Sequence, residues 1–456
     1  MKFKKTLLIA ALCLVGAGQA MAEVSPEEAA RLGNELTPFG AEKAGNADGT
    51  IPAWTGGLTE APASYQAGSG KRPNPWPDEE PYLVITKANM AEYADQLTEG
   101  TKALLQRHGD DGFQVKVWPT HRSFAGPDWY YENTKYNASH TSLTDGGLRL
   151  EDVQGGTPFP IPKSGAEVYW NHLMRWEGTH FEAQIKALYK DKKGNTVVGT
   201  IANIVQEWPH YVRDKDYGTD FDDYWMTRID YIAPARRAGE KLLLIDPMSF
   251  SDGAGRRAWQ YLKGQRRVRR APAVAFDTPN PSQTGLSTYD DAWLMNGSPE
   301  RFDWKLVGKK EMYVPYNSYD FAYEIPAEQS LGARFINPES NRWEKHRVWV
   351  IEGTLKEGSR HVYHRRVLYV DEDSWAVLAV DLYDGQNALW RVGYSYQTPS
   401  YEVPAGQTTM HGHYDLQSGI YYLTGHTADT AGVFTDRDQK PANFYTPQGL
   451  SASGVR

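Results

Sequence analysis

From about residue 181 onward apolar and polar side chains alternate one for one, the period of a half-buried β-strand, in FEAQIKALYK, TVVGTIANIVQ, YWMTRIDYIA and EKLLLID. The first two segments flank Asp191-Lys192-Lys193-Gly194-Asn195, a run of turn residues that predicts a hairpin. WQYLK and RRVRR flank Gly264, and WKLVGKKEMYV, HRVWVIEGTLK, HVYHRRVLYV, SWAVLAVDLYD, ALWRVGYSYQ and IYYLTGH carry the pattern toward the C-terminus. Strands joined by short turns pair as an antiparallel meander and leave no room for the crossover helices of a parallel sheet. No fixed-period repeat runs through them, which argues against a propeller or a solenoid.

Upstream of residue 181 the pattern differs. Met90, Tyr93, Ala94, Leu97, Leu104 and Leu105 recur at helical spacing and predict a helix over Thr86 to His108, with Gly100 as its break. Ser164 followed by Glu167 predicts a capping box ahead of VYWNHLMRW, and Ser25-Pro26-Glu27-Glu28 predicts another. Residues 23–82 are otherwise rich in Gly and Pro and predict an ordered surface arm, with a single domain over 83–456.

At the N-terminus, Lys2, Lys4 and Lys5 precede TLLIAALCLVGAG, and Ala20-Met21-Ala22 offers a small-residue cleavage site. This predicts a signal peptide over residues 1–22 and a periplasmic destination. The single cysteine, Cys13, falls inside that leader after the bulky Leu12, so the sequence predicts neither a lipid anchor nor disulfides in the exported part. No later stretch is apolar enough to span a membrane. With 15 Trp and 28 Tyr, the composition predicts an aromatic-rich β core.

RRAWQYLKGQRRVRRAP, residues 256–272, is the one strongly basic stretch in a chain of formal charge -8. On a strand, Arg257, Trp259 and Tyr261 share one face while Arg256, Ala258, Gln260 and Leu262 share the other, so neither face is purely basic. A nucleic-acid groove needs its charge gathered on one surface, and the acidic chain as a whole opposes one. Asp220, Asp222, Asp223, Asp290, Asp291, Glu300 and Asp303 are natural ion partners for these arginines, and Trp and Tyr rings for their guanidinium planes.

Enzyme signatures are largely missing: there is no G-x-S-x-G, no P-loop, no H-E-x-x-H and no complete dinucleotide fingerprint. Adjacent acids such as Asp290 and Asp291 would point to opposite faces of a strand and could not flank one glycosidic bond together. His411, His413 and Asp415 alternate in MHGHYD and would project from one face, as metal ligands or equally as the polar face of a late strand; no metal and no cofactor is assigned.

RRAWQYLKGQRRVRRAP, YDDAWLMNGSPERFDWKLVGKKEMYVPYN (289–317) and RVWVIEGTLKEGSRHVYHRRVLYVDEDSWAVLAVDLYDGQNALWRV (347–392), with IPAWTGG in the arm, resemble a family of exported bacterial proteins, domain of unknown function 1329. That family is similar to the LolA and LolB carriers that sort outer-membrane lipoproteins. The resemblance implies a mainly β (α+β) fold, a large antiparallel sheet curled into an incomplete barrel with helices on its concave side. It also implies a carrier or adaptor that binds a hydrophobic, lipid-like or aromatic molecule without covalent chemistry. Relatives tend to be encoded beside an outer-membrane protein and an RND-type exporter, which are the implied partners. In such a cavity the expected wall is Tyr224, Trp225, Ile229, Tyr231, Trp259, Tyr261, Trp293, Phe302, Trp304, Trp349 and Tyr363. The alternatives are a carbohydrate-binding or glycan-active secreted protein, and a structural partner of an outer-membrane barrel.

Overall fold

The computed structural model describes residues 24–212, 223–271, 274, 276–283 and 285–454. The leader expected at residues 1–22 lies outside them, as do Asp220 and Asp222. Two short strands that the alternation did not mark, β1 (Leu83–Ile85) and β2 (Val115–Val117), precede those it did: β5 (His180–Lys190), β6 (Thr196–Glu207), β7 (Asp223–Ala233), β8 (Lys241–Pro247), β9 (Arg257–Leu262), β10 (Arg267–Arg270) and β11 (Phe302–Pro315). β12 (Trp343–Leu355), β13 (Arg365–Asp371), β14 (Val377–Tyr383), β15 (Leu389–Gln397), β16 (Thr408–Asp415), β17 (Ile420–His426) and β18 (Val433–Phe434) complete one 16-stranded sheet, and β3 (Ser142–Thr144) with β4 (Arg149–Glu151) forms a separate hairpin. The α-helices are α1 (Pro26–Ala29), α2 (Glu99–His108), α3 (Asp128–His140), α4 (Gly165–Leu173), α5 (Ala327–Ser330) and α6 (Pro447–Ala452).

Strands β5 to β10 and β11 to β17 are two consecutive meanders, joined where β17 pairs antiparallel with β5 and sets Leu423 opposite Leu188. One long path therefore runs from β11 through β17 and β5 to β10. β10 and β11 follow each other in the chain but stand at opposite ends of that path. Their connection, between Arg270 and Phe302, has to cross a face of the sheet. Among the described residues the sheet ends do not pair with each other, so the barrel is incomplete.

Directly opposed residues share a face. Leu306, Ile351, Leu368, Val380, Gly393, His413 and Tyr422 form one such row across β11 to β17, all on the inner face. Gly393 has no side chain because a Cβ there would meet the His413 ring and Val380 Cγ1 at 2.7 Å. α4 covers this face at β11 and β12, where the Tyr169 ring stacks on Trp304 at 4.7 Å. Ser164 Oγ caps α4 by accepting the Glu167 N–H at 3.2 Å, but the Glu167 carboxylate turns back to the Lys163 N–H, so the expected reciprocal box is half made. The box at α1 is complete.

On the outer face, Tyr445 and Leu450 at the C-terminus pack on Val205, Met226, Leu243, Ile245 and Tyr261. α2 docks on the same side against β14 and β15. The predicted single helix divides into a 3-10 turn, Met90–Gln96, and α2, which starts at the cap Thr98 rather than breaking at Gly100. Gly100 lies inside α2 for a packing reason: a Cβ there would come within 2.3 Å of Val392 and 2.5 Å of Asp381. The arm, expected on the surface, lies against its own sheet. Phe39 and Ile51 are buried, and the buried Arg72 guanidinium is held by Glu402, the Tyr323 hydroxyl at 2.6 Å and Thr435 at 2.9 Å.

The docking of α2 carries a pH dependence. The buried Asp381 carboxylate accepts the N–H groups of Gly100 (2.9 Å) and Glu99 (3.1 Å) and the Tyr369 hydroxyl (3.1 Å). Burial outweighs these bonds and pushes its pKa up to about 7. The unfolded chain releases that proton near pH ~3.9. Between the two values the folded state holds the extra proton, so this group's contribution is full below the lower value and falls as pH rises through 7. Each tenfold in proton affinity is worth about 1.4 kcal/mol. In urea denaturation across this window Asp381→Asn is expected to lose less stability than the parent, by a few kcal/mol in total; superimposable pH profiles would reject the assignment.

Candidate functional site

Over β5 to β8, β16 and β17 the inner face is not filled. It bounds a cavity of about 140 Å³ that continues into open solvent. The floor follows strand parity: Ile185 on β5, Ala202 and Ile204 on β6, Trp225, Ile229 and Tyr231 on β7, and Leu242 and Leu244 on β8. Register fixes the neighbours, with Ile204 opposite Ile229 and Ile229 opposite Leu242. On the far side stand Thr408, His411, Tyr422 and Thr424. The connection between β10 and β11 forms the roof, contributing Gln283, Thr288, Tyr289, Trp293 and Asn296.

This crossing strap is pinned by buried charge. Asp290 pairs with Arg366 of β13 at 2.8 Å and accepts the Thr288 hydroxyl at 2.6 Å. His361 Nδ1 accepts the Tyr363 N–H at 3.0 Å, so Nε2 carries the proton and donates it to Asp290, also at 3.0 Å. The Arg366 charge and the hydrogen bonds from His361 and Thr288 hold the Asp290 carboxyl well below the usual range despite burial. Asp291 accepts the Tyr363 hydroxyl (2.9 Å) and the Thr288 N–H (2.8 Å), and Tyr363 accepts in turn from Arg391 (2.7 Å). By the same logic His172 of α4 accepts the Val377 N–H and donates to the Met295 carbonyl at 2.8 Å. Burial drives its pKa well down, keeping it neutral.

Pinned in this way, the strap holds Trp293 and Leu294 in the left-handed region, at φ 48° and 72°. Side chains other than glycine avoid that region at a cost of about 1–2 kcal/mol each. The Trp293 ring meets Trp225 edge-on at 5.3 Å and lies under the Arg175 guanidinium at 5.3 Å.

Four of the residues expected in the wall are there: Trp225, Ile229, Tyr231 and Trp293. The other seven are placed elsewhere. Tyr224 gives its hydroxyl to Asn296 Oδ1 at 3.2 Å. Trp259 and Tyr261 pack on the outer face with Tyr445 and Leu450, and the Tyr261 hydroxyl reaches the Gly454 carbonyl at 2.9 Å. Phe302 and Trp304 sit together near α4, with ring centroids 5.8 Å apart. Trp349 lies nearly parallel to Trp375 at 6.4 Å, and Tyr363 belongs to the charge cluster. The wall also contains Thr200, Gln206 and Thr227, which no aromatic count singles out. The signal for them was a polar residue at the inward parity of an otherwise apolar strand face.

Two arginines of the basic stretch are neutralised by carboxylates and a third lies on a ring. Arg256 makes a two-pronged pair with the buried Asp246 (2.7 and 2.8 Å), Arg257 pairs with Asp223, and the Arg270 guanidinium lies over the Trp259 ring at 5.9 Å. Asp290 and Asp291, expected among these partners, instead belong to the strap cluster and stand on a 3-10 turn, not a strand. His411, His413 and Asp415 do share a face, with His413 Nδ1 2.6 Å from the Tyr422 hydroxyl and Asp415 held by Arg391. Burial pushes the pKa of His411 down to about 3 and that of His413 to about 4, so both are neutral. His346, Asp371 and Asp373 bring possible ligand atoms within 4.8 Å of one another, but Arg122 already grips Asp373 at 2.7 and 2.9 Å.

A family model described as "Protein of unknown function (DUF1329)" matches residues 84–451. An uncharacterized protein of Pseudomonas aeruginosa, PA3922, is 39% identical over 464 aligned positions that cover 100% of both chains. The crystal structure of a DUF1329 family protein from Desulfovibrio piger is 15% identical and aligns with a TM-score of 0.40, covering 60% of this chain and 92% of that one. A LolA superfamily protein from Nitrosomonas europaea is 11% identical, with a TM-score of 0.37 over 62% of this chain and 98% of the other.

Proposed function

Because the chain belongs to the DUF1329 family, whose description assigns no chemistry, its activity has to be read from the cavity, and we propose that it is a periplasmic, non-enzymatic carrier of a hydrophobic molecule. The observation that carries this reading is the roofed hollow on the inner face, a cavity of about 140 Å³ opening to solvent and floored by Ile, Leu and aromatic side chains. Each methylene that leaves water for such a wall gains about 0.8 kcal/mol, so a long hydrocarbon is retained without any covalent step. Charged side chains on the wall are satisfied by one another: Arg256 by Asp246, Glu177 by Arg175 at 3.1 Å. They stabilise the roof and floor and leave the interior to shape and apolar contact. Among the described residues no helix is long and apolar enough to cross a membrane. Export through the N-terminal leader, and handover to an outer-membrane protein or an RND-type exporter, belong to the same proposal.

Protein isolated from its native cell envelope is expected to fly in native mass spectrometry with mass beyond that of the polypeptide, released by organic solvent and identified as lipid-like or aromatic. Bare polypeptide mass from several growth conditions, with no uptake of long-chain compounds afterwards, would overturn the carrier reading. Binding to glycans in place of lipids would move it to carbohydrate recognition.

A further inference from the structure

Three wall residues carry a neutral polar atom that is buried and has no hydrogen-bond partner: Trp225 Nε1, Asn296 Nδ2 and Gln407 Oε1. The residues are 4%, 3% and 1% exposed, respectively. The orientation of each amide sets which of its ends is unused. Asn296 Oδ1 accepts the Tyr224 hydroxyl at 3.2 Å, which leaves its NH2 as the unused end. Gln407 Nε2 donates to the Glu177 carbonyl at 2.8 Å, which leaves its oxygen unused. Contacts link the three at one end of the cavity. Trp225 touches Trp293, Trp293 lies under Arg175, Arg175 pairs with Glu177, and Glu177 binds Gln407. On the other side Arg256 lies over Trp225 at 5.8 Å and donates to the Asn296 carbonyl at 3.3 Å.

A buried donor or acceptor left unmet costs about 1–3 kcal/mol, so this end is built for a guest that supplies oxygen. No cation around it is spare among the described residues. Arg256 is consumed by Asp246 and Arg175 by Glu177, while Asp291 keeps its Oδ1 without a hydrogen bond, 3.8 Å from Arg366, and adds negative charge. Burial keeps His411 neutral. A phosphate or carboxylate would enter with no cation to meet it, and an uncompensated buried charge costs several kcal/mol.

Resting on the carrier reading, we infer that the guest is a neutral amphiphile whose hydroxyl head accepts from Trp225 and Asn296 and donates to Gln407 while its apolar body lies along β5 to β8. The test titrates the delipidated full chain with dodecanol, laurate, dodecyl phosphate and dodecane at neutral pH, read by the fluorescence of the wall tryptophans and by native mass spectrometry. Dodecanol is expected to bind about tenfold or more tighter than laurate and dodecyl phosphate, and several-fold tighter than dodecane. Gln407→Leu and Asn296→Ala are expected to bring dodecanol down to the affinity of dodecane while leaving dodecane unchanged, which also reports that each variant is folded. Anions binding as tightly as the alcohol, or alcohol and alkane binding alike in the parent, would overturn the neutral-head inference and leave the carrier reading standing. Failure of all four compounds, dodecane included, would overturn both.

Discussion

Replacing Ala202 with tryptophan is expected to empty the protein of its guest while the fold stands. Ala202 lies near the middle of the cavity floor, opposite Ile185 on one side and Tyr231 on the other, and its methyl group faces the hollow. An indole at that position projects into space the native chain leaves vacant, and tryptophan suits a β-strand. Guest affinity is expected to fall by more than about tenfold, equivalent to ~1.4 kcal/mol, and the added mass in native mass spectrometry to disappear. The melting temperature is expected to move by only a few degrees. The matched change on the other face, Leu243→Trp, enters a packed layer of Met226, Tyr445 and Leu450, where overpacking costs about 1–3 kcal/mol. If Ala202→Trp destabilises as strongly as Leu243→Trp, the inner space is closed in solution and sequestration fails with it.

Arg366→Met is expected to be the most destabilising single change among the residues that hold the roof. The guanidinium is fully buried between Asp290, at 2.8 Å, and Asp291, at 3.8 Å, and its removal strands two carboxylates on the strap. Breaking a buried pair from one side costs about 3–5 kcal/mol, because the remaining charge keeps its desolvation penalty. Urea denaturation should report that loss. The double variant Arg366→Met with Asp290→Asn should lose less than the two single changes added together, since the second substitution removes the stranded charge. Guest binding should weaken in the single variant as well, because the same strap sets Trp293 against Trp225. A loss below about 1 kcal/mol would show that the strap is held by something other than this cluster.

Much of the architecture was legible along the chain. Alternation marked the strands from β5 to β17, and the Asp191 to Asn195 turn between β5 and β6 stands where the residues put it, with the Gly194 N–H bonded to the Asp191 carbonyl at 2.9 Å. Parity correctly grouped Trp259 with Tyr261 on β9, whereas Tyr224 and Trp225, adjacent on β7, were expected in one wall and only Trp225 lies there. What parity could not supply was which group faces inward. Trp259 and Tyr261 share the outer face under the C-terminal helix, whereas Trp225, two strands away, looks into the hollow.

The strap was invisible for a different reason. Its stretch from Asn280 to Glu300 is rich in Ser, Asn, Gly and Pro and has no period, so nothing local distinguishes a roof from an outer loop. It becomes a roof because β10 and β11 stand at opposite ends of the sheet, and they do so because β17 pairs with β5. The sequence alone determined the strands, their meander order and which side chains within each strand share a face, since a period of two is a property of the extended backbone. Only the tertiary structure decided which face is concave, what crosses it and which polar atoms are left facing the hollow. Those depend on pairing between segments more than two hundred residues apart, where the closing contact and the curl of the whole sheet are settled together.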